Sequence, residues 1–378
     1  MASELFVGQF NDSYKPIMDG VGVCVENYAR WIEEKHGHAV VVVPSQPGFH
    51  DEDAFDVVRF ASLPFLLFEP YRIGVPWARP RTELRLKNLP LSIVHSHSPF
   101  VAGRMARRVA RARRVPHVST FHTKYRDDAI KAVGSERIAD FVVRRIVHFY
   151  ETVDSVWTPS EATAATLRSY GFTGDITVAP NGSDLEVPTK AEYDRYRRRG
   201  EEFSRVGHGD FVFLFVGQHR WEKNVELIIR AIRELSELAA RDDDEAQFRM
   251  LFVGEGYAAG GMEKLCRELG VEDRTTFLGK VVDREALKSL FARADLFLFP
   301  SIYDNAPLVM REAAAFGLPT VVAGESAAAE IIQDGENGFV TENDAAAMAR
   351  RLKLLMGQEE LLRRVGRRAT QTIYRSWE

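Results

Sequence analysis

Two carboxylates stand with seven residues between them in PSIYDNAPLVMREAAAFGLPTVVAG, residues 300–324. Asp304 lies in the loop IYDNAP, after the apolar run DLFLFPS. Glu312 lies in the first turns of a predicted helix whose apolar positions include Leu308, Val309 and Ala313. Taken singly, each acid has an ordinary reading. Asp304 is a turn or capping residue, and Glu312 a carboxylate favoured by the positive end of a helix dipole. Taken together, they can accept hydrogen bonds from two sets of hydroxyls, those of a sugar and those of a ribose, with a diphosphate at the helix end.

Other residues are suited to an anion. In FVGQHRWEKNVELIIRAI, Gly217 ends a predicted strand, Arg220 and Lys223 follow, and a helix begins near Asn224. Cations beside a helix N-terminus oppose the dipole, and a bound anion would relieve that clash; a solvated charged turn is the plainer alternative. In DGVGVCVENYARWIEE, Gly20 and Gly22 stand just before a predicted amphipathic helix whose free N–H groups could hold a phosphate. A tight turn without a ligand reads the same way.

The elements that position these residues alternate apolar runs with amphipathic stretches, the pattern of parallel sheets with crossover helices. The runs LFVGQF, AVVVVP, DVVRFA, SIVHSH, HVSTFH, SVWTPS and ITVAPN predict strands in the first half, with helices such as Val23–Lys35 and Gly103–Arg114 between them. FVFLFVG, RMLFVG, TTFLG, DLFLFP and PTVVAG predict strands in the second half. The polar stretch between the two series reads as a linker. The expected organisation is an α/β chain of two Rossmann-like domains facing across a cleft: 1–182, a linker region 183–208, and 209–378.

Composition narrows the function classes. With 378 residues, the chain is too long for one ordinary core. Hydrophobic residues make up 45% and charged residues 28%, as in a globular protein. The N-terminus lacks the pattern of a secretory signal, and no apolar run approaches a membrane span. Cys24 and Cys266 fit no metal or redox spacing and read as small buried hydrophobes. A cytoplasmic setting is expected. Net charge is −4 overall, yet residues 72–148 carry 17 Lys/Arg against 5 Asp/Glu. That segment is suited to an anionic partner. Nucleic acid is not expected, since the whole is near neutral and no nucleic-acid motif is present.

The stretch 300–324, with AAEIIQDGENGFV after it, resembles the C-terminal signature of retaining glycosyltransferases of family 4, which have the GT-B fold. GVGVCVENYARWI, HSHSPF, STFHTKY, PNGSD, VGQHRWEKN and FLGKVVDREALKSLF occur in the order of that family, so the resemblance spans nearly the whole chain. It implies transfer of a hexose from a UDP- or GDP-linked sugar, without a metal or other cofactor and without an established protein nucleophile. Glu312 is then expected at the donor ribose and Asp304 at the sugar hydroxyls. Gly20 and Gly22 would lie beside the diphosphate, Lys223 on the phosphate, and the backbone at Lys280 and Val281 at the nucleobase. Asn305 and Leu308 complete the donor side. His122 matches the histidine near the reacting sugar carbon, with His95, His97, Lys124 and Tyr125 as candidates on the acceptor side.

Three positions depart from the family pattern. Asp304 replaces a glutamate. Gln218 replaces an arginine, for which Arg220 is placed to compensate. DNAPL replaces a glycine-rich loop, and Pro307 has no N–H to donate.

For the acceptor, Arg104, Arg107, Arg108 and Arg111 share a helical face. The aromatic stretch 63–77 precedes them and IADFVVRRIVHFY follows. Basic and aromatic surface together suits a peripheral membrane enzyme acting on a lipid such as diacylglycerol, at the inner face of the membrane. A solvated arginine face, with a soluble sugar or polysaccharide acceptor, is the alternative. A GT-B epimerase and a weakly active nucleotide-sugar-binding module also share the fold; the acid pair argues for transfer.

Overall fold

Apolar runs with no polar alternation become strands covered on both faces, the condition of a parallel sheet. In AVVVVP, the residues from Ala39 to Pro44 are all buried. The computed structural model describes residues 5–17, 19–65, 71–241 and 247–377. Its contacts divide the chain into two units, Met1–Asn181 with Trp377–Glu378, and Gly182–Ser376.

The first unit runs β1 (Leu5–Phe10), α1 (Gly20–Lys35), β2 (Gly37–Pro44), β3 (Asp56–Phe60), a short antiparallel hairpin of β4 (Ser62–Pro64) and β5 (Arg72–Gly74), α2 (Pro80–Asn88) and β6 (Ile93–Ser96). It continues with α3 (Val101–Arg113), β7 (His117–Thr120), α4 (Tyr125–Val133), α5 (Glu136–Tyr150), β8 (Ser155–Thr158), α6 (Glu161–Ser169) and β9 (Ile176–Val178). The sheet order is β3-β2-β1-β6-β7-β8-β9, all parallel. Alternate residues of β2 serve opposite layers. Val40 and Val42 cluster with Met105 and Ala106 of α3, while Val41 and Val43 cluster with Val25 and Ala29 of α1.

The second unit runs α7 (Lys190–Ser204), β10 (Phe211–Val216), α8 (Val225–Arg241), β11 (Phe248–Val253), α9 (Ala259–Leu269), β12 (Thr275–Phe277), α10 (Arg284–Arg293) and β13 (Leu296–Phe299). Then follow α11 (Leu308–Ala315), β14 (Thr320–Ala323), β15 (Phe339–Thr341), α12 (Ala345–Met356) and α13 (Glu359–Thr372). Its sheet order is β12-β11-β10-β13-β14-β15, again parallel. Phe213, Phe215, Phe297 and Phe299 sit in one continuous core.

In each sheet the strand order reverses once, between β1 and β6 and between β10 and β13. Such switch points leave a crevice beyond the carboxyl ends of the strands, where ligands bind in this class of fold.

Each of the twelve apolar runs forms a strand; β15 and the β4–β5 hairpin are additions. Two readings change. The stretch 183–208 is not a bare linker, because it holds α7, which packs on α10 within the second unit. The approach is close: a Cβ on Gly200 would stand 2.2 Å from Ser289 O. Arg293 of α10, fully buried, donates to Gly207 O (2.9 Å) and Asp210 O (2.8 Å) and so binds the end of that stretch. Gly20 and Gly22 lie inside the first turn of α1 rather than before it. Glu312, the fifth residue of α11, lies in its second turn, within the first turns where it was expected. Cys24 and Cys266 are buried free thiols, as expected.

Candidate functional site

The switch point of the second sheet brings two loops together. After β10, a single 3-10 turn, Trp221–Lys223, ends at Asn224 in the left-handed region (φ 58°). Asn224 Nδ2 donates to Pro300 O (3.2 Å) at the end of β13 and to Asn343 Oδ1 (2.8 Å). That bond draws the loop carrying Lys223 against the loop carrying Asp304, and the two side chains form an ion pair. Ser301 Oγ donates to the other oxygen of Asp304 (2.6 Å). The Lys223 ammonium also stands 5.8 Å from the centre of the Phe299 ring. Both partners are mostly buried, with side-chain exposures of 17% and 19%, so their attraction is screened less than that of a surface pair.

Arg220 does not join them. Its Nε lies 3.6 Å from Glu222, and its guanidinium stands 5.9 Å from the Tyr257 ring. Gln218 belongs to the same loop, its carbonyl accepting from Arg220 N (3.0 Å). His219 is buried against Phe215, Phe252 and Phe277, and burial lowers its pKa, so it is a neutral packing residue. Gly254 (φ 136°) lets β11 end close to this loop; a Cβ there would stand 1.9 Å from Gly217 O. Lys280 is exposed, with Nζ 3.4 Å from Glu255, and Val281 packs at the margin of the core. Asn305 lies in the loop before α11 and Leu308 opens that helix, with Pro307 as its N-cap.

Glu312 turns to a different partner. Its carboxylate is buried and lies 3.3 Å from Arg284 Nη2, at the first residue of α10; the same guanidinium pairs with Asp184. Burial outweighs the arginine and raises the Glu312 pKa to about 7. Near neutral pH this carboxyl is therefore poised between its two forms. Arg284 and Asp184 were not singled out in the sequence, although both fall inside the quoted stretches DREALKSLF and PNGSD.

In the first unit, the switch point holds a histidine cluster. Gln9 in β1 is in register with His95 in β6; His97 follows directly after β6, and His122 lies two residues past the end of β7. His95 Nε2 lies 2.8 Å from Thr120 Oγ1, and His97 Nδ1 lies 3.1 Å from His122 Nε2. Tyr28 of α1 packs on His95 and His97 with ring centres 5.3 and 5.6 Å away. Burial lowers the pKa of His95 to about 3 and of His122 to about 4, and that of His97 well below its ordinary value. All three rings are neutral at pH 7. Asp12, just past β1, caps α3: it accepts from Ser98 Oγ (2.5 Å) and Ala102 N (3.0 Å).

Two expectations for the first unit are corrected. The Gly22 N–H is not free for a phosphate, because the Asp19 carboxylate caps α1 and accepts from it (2.7 Å). Gly20 has open space where a Cβ would stand. The arginine face is partly engaged: Arg107 donates to Thr152 Oγ1 (3.0 Å), and Arg108 forks onto Glu83 (2.9 and 3.0 Å), while Arg104 and Arg111 are exposed. Leu63, Ile73, Trp77, Leu84, Ile138 and Phe141 are exposed apolar residues of this unit. Residues 66–70 of the aromatic stretch lie outside the described residues. Lys124 precedes α4, and Tyr125, its first residue, packs edge-on against Phe100 and Phe121.

Among the described residues no helix is long and apolar enough to cross a membrane, and no group of three or more His, Cys, Asp or Glu could hold a metal ion.

Two family models match in tandem, Glycosyltransferase Family 4 over residues 18–187 and Glycosyl transferases group 1 over residues 198–372. The alpha-monoglucosyldiacylglycerol synthase of Streptococcus pneumoniae is 24% identical over 350 residues, 90% of this chain and 76% of that protein. The D-inositol 3-phosphate glycosyltransferase of Nocardia farcinica is 30% identical over 294 residues, 73% of this chain and 61% of the relative. A crystal structure of Anabaena HepE in complex with UDP-glucose matches with a TM-score of 0.75 at 17% identity, covering 97% of this chain and 94% of that one. The fold is GT-B.

Proposed function

Because the chain belongs to the glycosyltransferases whose family 4 and group 1 models match its two halves, we propose that it transfers a hexose from a nucleoside-diphosphate sugar to an acceptor hydroxyl, with retention of configuration. The observation that carries this reading is the Lys223–Asp304 pair at the switch point of the second sheet, with the buried Glu312 on the helix that follows.

Each residue then has a role that its chemistry supports. Lys223 meets the diphosphate and stabilises the charge that grows on it as the glycosidic bond breaks. Asp304 accepts from sugar hydroxyls and Glu312, in its ionised form, from the ribose hydroxyls. Asn305 and Leu308 flank them, and the backbone at Lys280 and Val281 receives the base. No side chain of the first unit is assigned as a nucleophile. The acceptor hydroxyl attacks on the face the phosphate leaves, and the leaving phosphate takes its proton. No metal enters the scheme, so turnover should survive EDTA. UDP is the favoured nucleotide, by analogy with the HepE complex.

The acceptor proposed is a membrane lipid, diacylglycerol or a glycosylated form of it, met at the inner face of the membrane. The Streptococcus relative is named for such a product, and exposed Arg104, Arg111 and Trp77 suit an anionic surface. A soluble acceptor is the second reading, favoured by the engagement of Arg107 and Arg108 within the fold.

A thermal-shift panel of nucleotide sugars, followed by product analysis with lipid vesicles and with soluble sugars, tests the proposal. The expected result is stabilisation by one UDP-sugar and an α-linked product whose anomeric coupling matches the donor. No stabilisation by any nucleotide sugar, together with no product, would overturn it.

A further inference from the structure

A hydrogen-bonded chain runs through the histidine cluster from a residue that no motif marks. Gln9 is 1% exposed, and its Oε1 lies 2.7 Å from His97 Nε2; on the other side of that ring, His97 Nδ1 lies 3.1 Å from His122 Nε2. The three side chains come from the ends of adjacent strands β1, β6 and β7. Gln9 and its register partner His95 share a face of the sheet, and His97, just past β6, is held beside both by its hydrogen bond to Gln9 and its ring contact with His95.

An amide oxygen only accepts, so His97 Nε2 carries the proton. A neutral imidazole protonated at Nε2 offers an acceptor at Nδ1, and His122 Nε2 must then donate to it. The His122 lone pair is thereby assigned to Nδ1. His95, with its ring centre 4.0 Å from that of His97, and Tyr28 at 5.6 Å hold the plane of the middle ring. A chain of this kind has no slack. If the first link stops accepting, either proton arrangement becomes available to the next ring.

We propose that Gln9, acting through His97, is the positioning residue that sets the tautomer and ring orientation of His122. The consequence for turnover rests on the reading that His122 faces the reacting sugar. The tautomer itself is a property of the protein alone.

The test separates the two. Protein labelled with 15N at histidine gives the protonated nitrogen of each ring through long-range proton–nitrogen correlations. In the wild type, His97 and His122 should both be protonated at Nε2. Gln9→Met keeps the length of the side chain and removes the acceptor, and should bring Nδ1-protonated signal to one or both rings. Gln9→Glu restores an acceptor oxygen at the same reach and should return the wild-type pattern. Turnover of Gln9→Met should fall about tenfold with unchanged nucleotide affinity, and Gln9→Glu should recover most of it.

Unchanged tautomers in Gln9→Met overturn the proposal whatever turnover does. A changed tautomer with unchanged turnover upholds the relay and removes His122 from the sugar site. Should Gln9→Met fail to fold, Gln9→Asn, which draws the oxygen back by one methylene, is read in the same way. Wild-type tautomers there would count equally against the relay.

Discussion

Replacing Glu312 with glutamine should stabilise the ligand-free protein at alkaline pH and shrink the further stabilisation that nucleotide adds. The carboxyl is buried, and its pKa rises from 4.5 to about 7 because burial outweighs the pull of Arg284. A carboxyl with a raised folded pKa binds its proton more tightly in the folded chain than in the unfolded one. Its contribution is thus most favourable below pH 4.5 and is lost as pH rises towards 7. Above that, the folded chain carries a buried charge at a cost of about 3 kcal/mol.

Glutamine has nearly the same shape and no charge to bury, and Arg284 keeps Asp184 as its partner. At pH 8 the unfolding transition of Glu312→Gln should move upward by several degrees, at about 2–4 °C per kcal/mol for a domain of this size. At pH 5, where the wild-type carboxyl is protonated in the folded state, the two proteins should melt nearly together. The same change removes the charge that ribose hydroxyls would meet, so nucleotide affinity should fall roughly tenfold or more. Melting curves at pH 5 and pH 8, with and without UDP, read all four quantities. A variant less stable than the wild type at pH 8, or an equal difference at both pH values, would refute the account of this site.

Lys223→Ala should weaken nucleotide binding by at least tenfold by calorimetry, since a charge-assisted contact is worth about 1.5–3 kcal/mol; unchanged affinity would remove Lys223 from the phosphate site. His122→Ala should lower turnover far more than nucleotide affinity, and equal losses would mark a purely structural ring. Arg104→Glu with Arg111→Glu should reduce co-sedimentation with anionic vesicles and make it less salt-sensitive, at about 1 kcal/mol per charge, while leaving UDP binding intact. These two are the informative positions, since Arg107 and Arg108 are held by Thr152 and Glu83. Gly200→Ala should destabilise the second unit by about 1–3 kcal/mol, because the added carbon meets Ser289 O; an unchanged melting temperature would mean that α7 packs less closely than the structure shows.

Strands were legible because parallel sheets bury both faces, which leaves uninterrupted runs such as AVVVVP and FVFLFVG in the sequence. Helix α7 was not, because its buried stripe is Tyr196, Gly200 and Ser204. Two of these three are small residues that pack by letting another backbone approach, so the stretch carries no apolar periodicity. The capping box at Thr189 and Glu192 was the available signal for its start. Strand β15, Phe339–Thr341, is too short to show a pattern.

For the site, residue type and position pointed to Lys223, Asp304 and Glu312, while His122 followed from the family resemblance alone; the structure pairs the first two. What could not be read were partners distant in the chain. Arg284 reaches Glu312 from 28 residues away, and Gln9 reaches His97 from 88 residues away. The Asp19 cap that closes Gly22 is local, but an aspartate before two glycines is compatible with either an open or a closed turn.

The pairing of Lys223 with Asp304 bears on what the proposed donor site would reject and on what it would let go. A cation that already holds its counter-charge exerts little net field, so inorganic phosphate or chloride has small reason to lodge there. Under the proposed function, a donor would open the pair by satisfying both halves at once, oxyanion to the ammonium and hydroxyls to the carboxylate. After transfer the sugar would be gone, and the carboxylate would lose the donors that the sugar supplied, keeping Ser301 Oγ. It would then compete with the remaining nucleotide for the lysine, and re-forming the Lys223–Asp304 pair would favour release of the product.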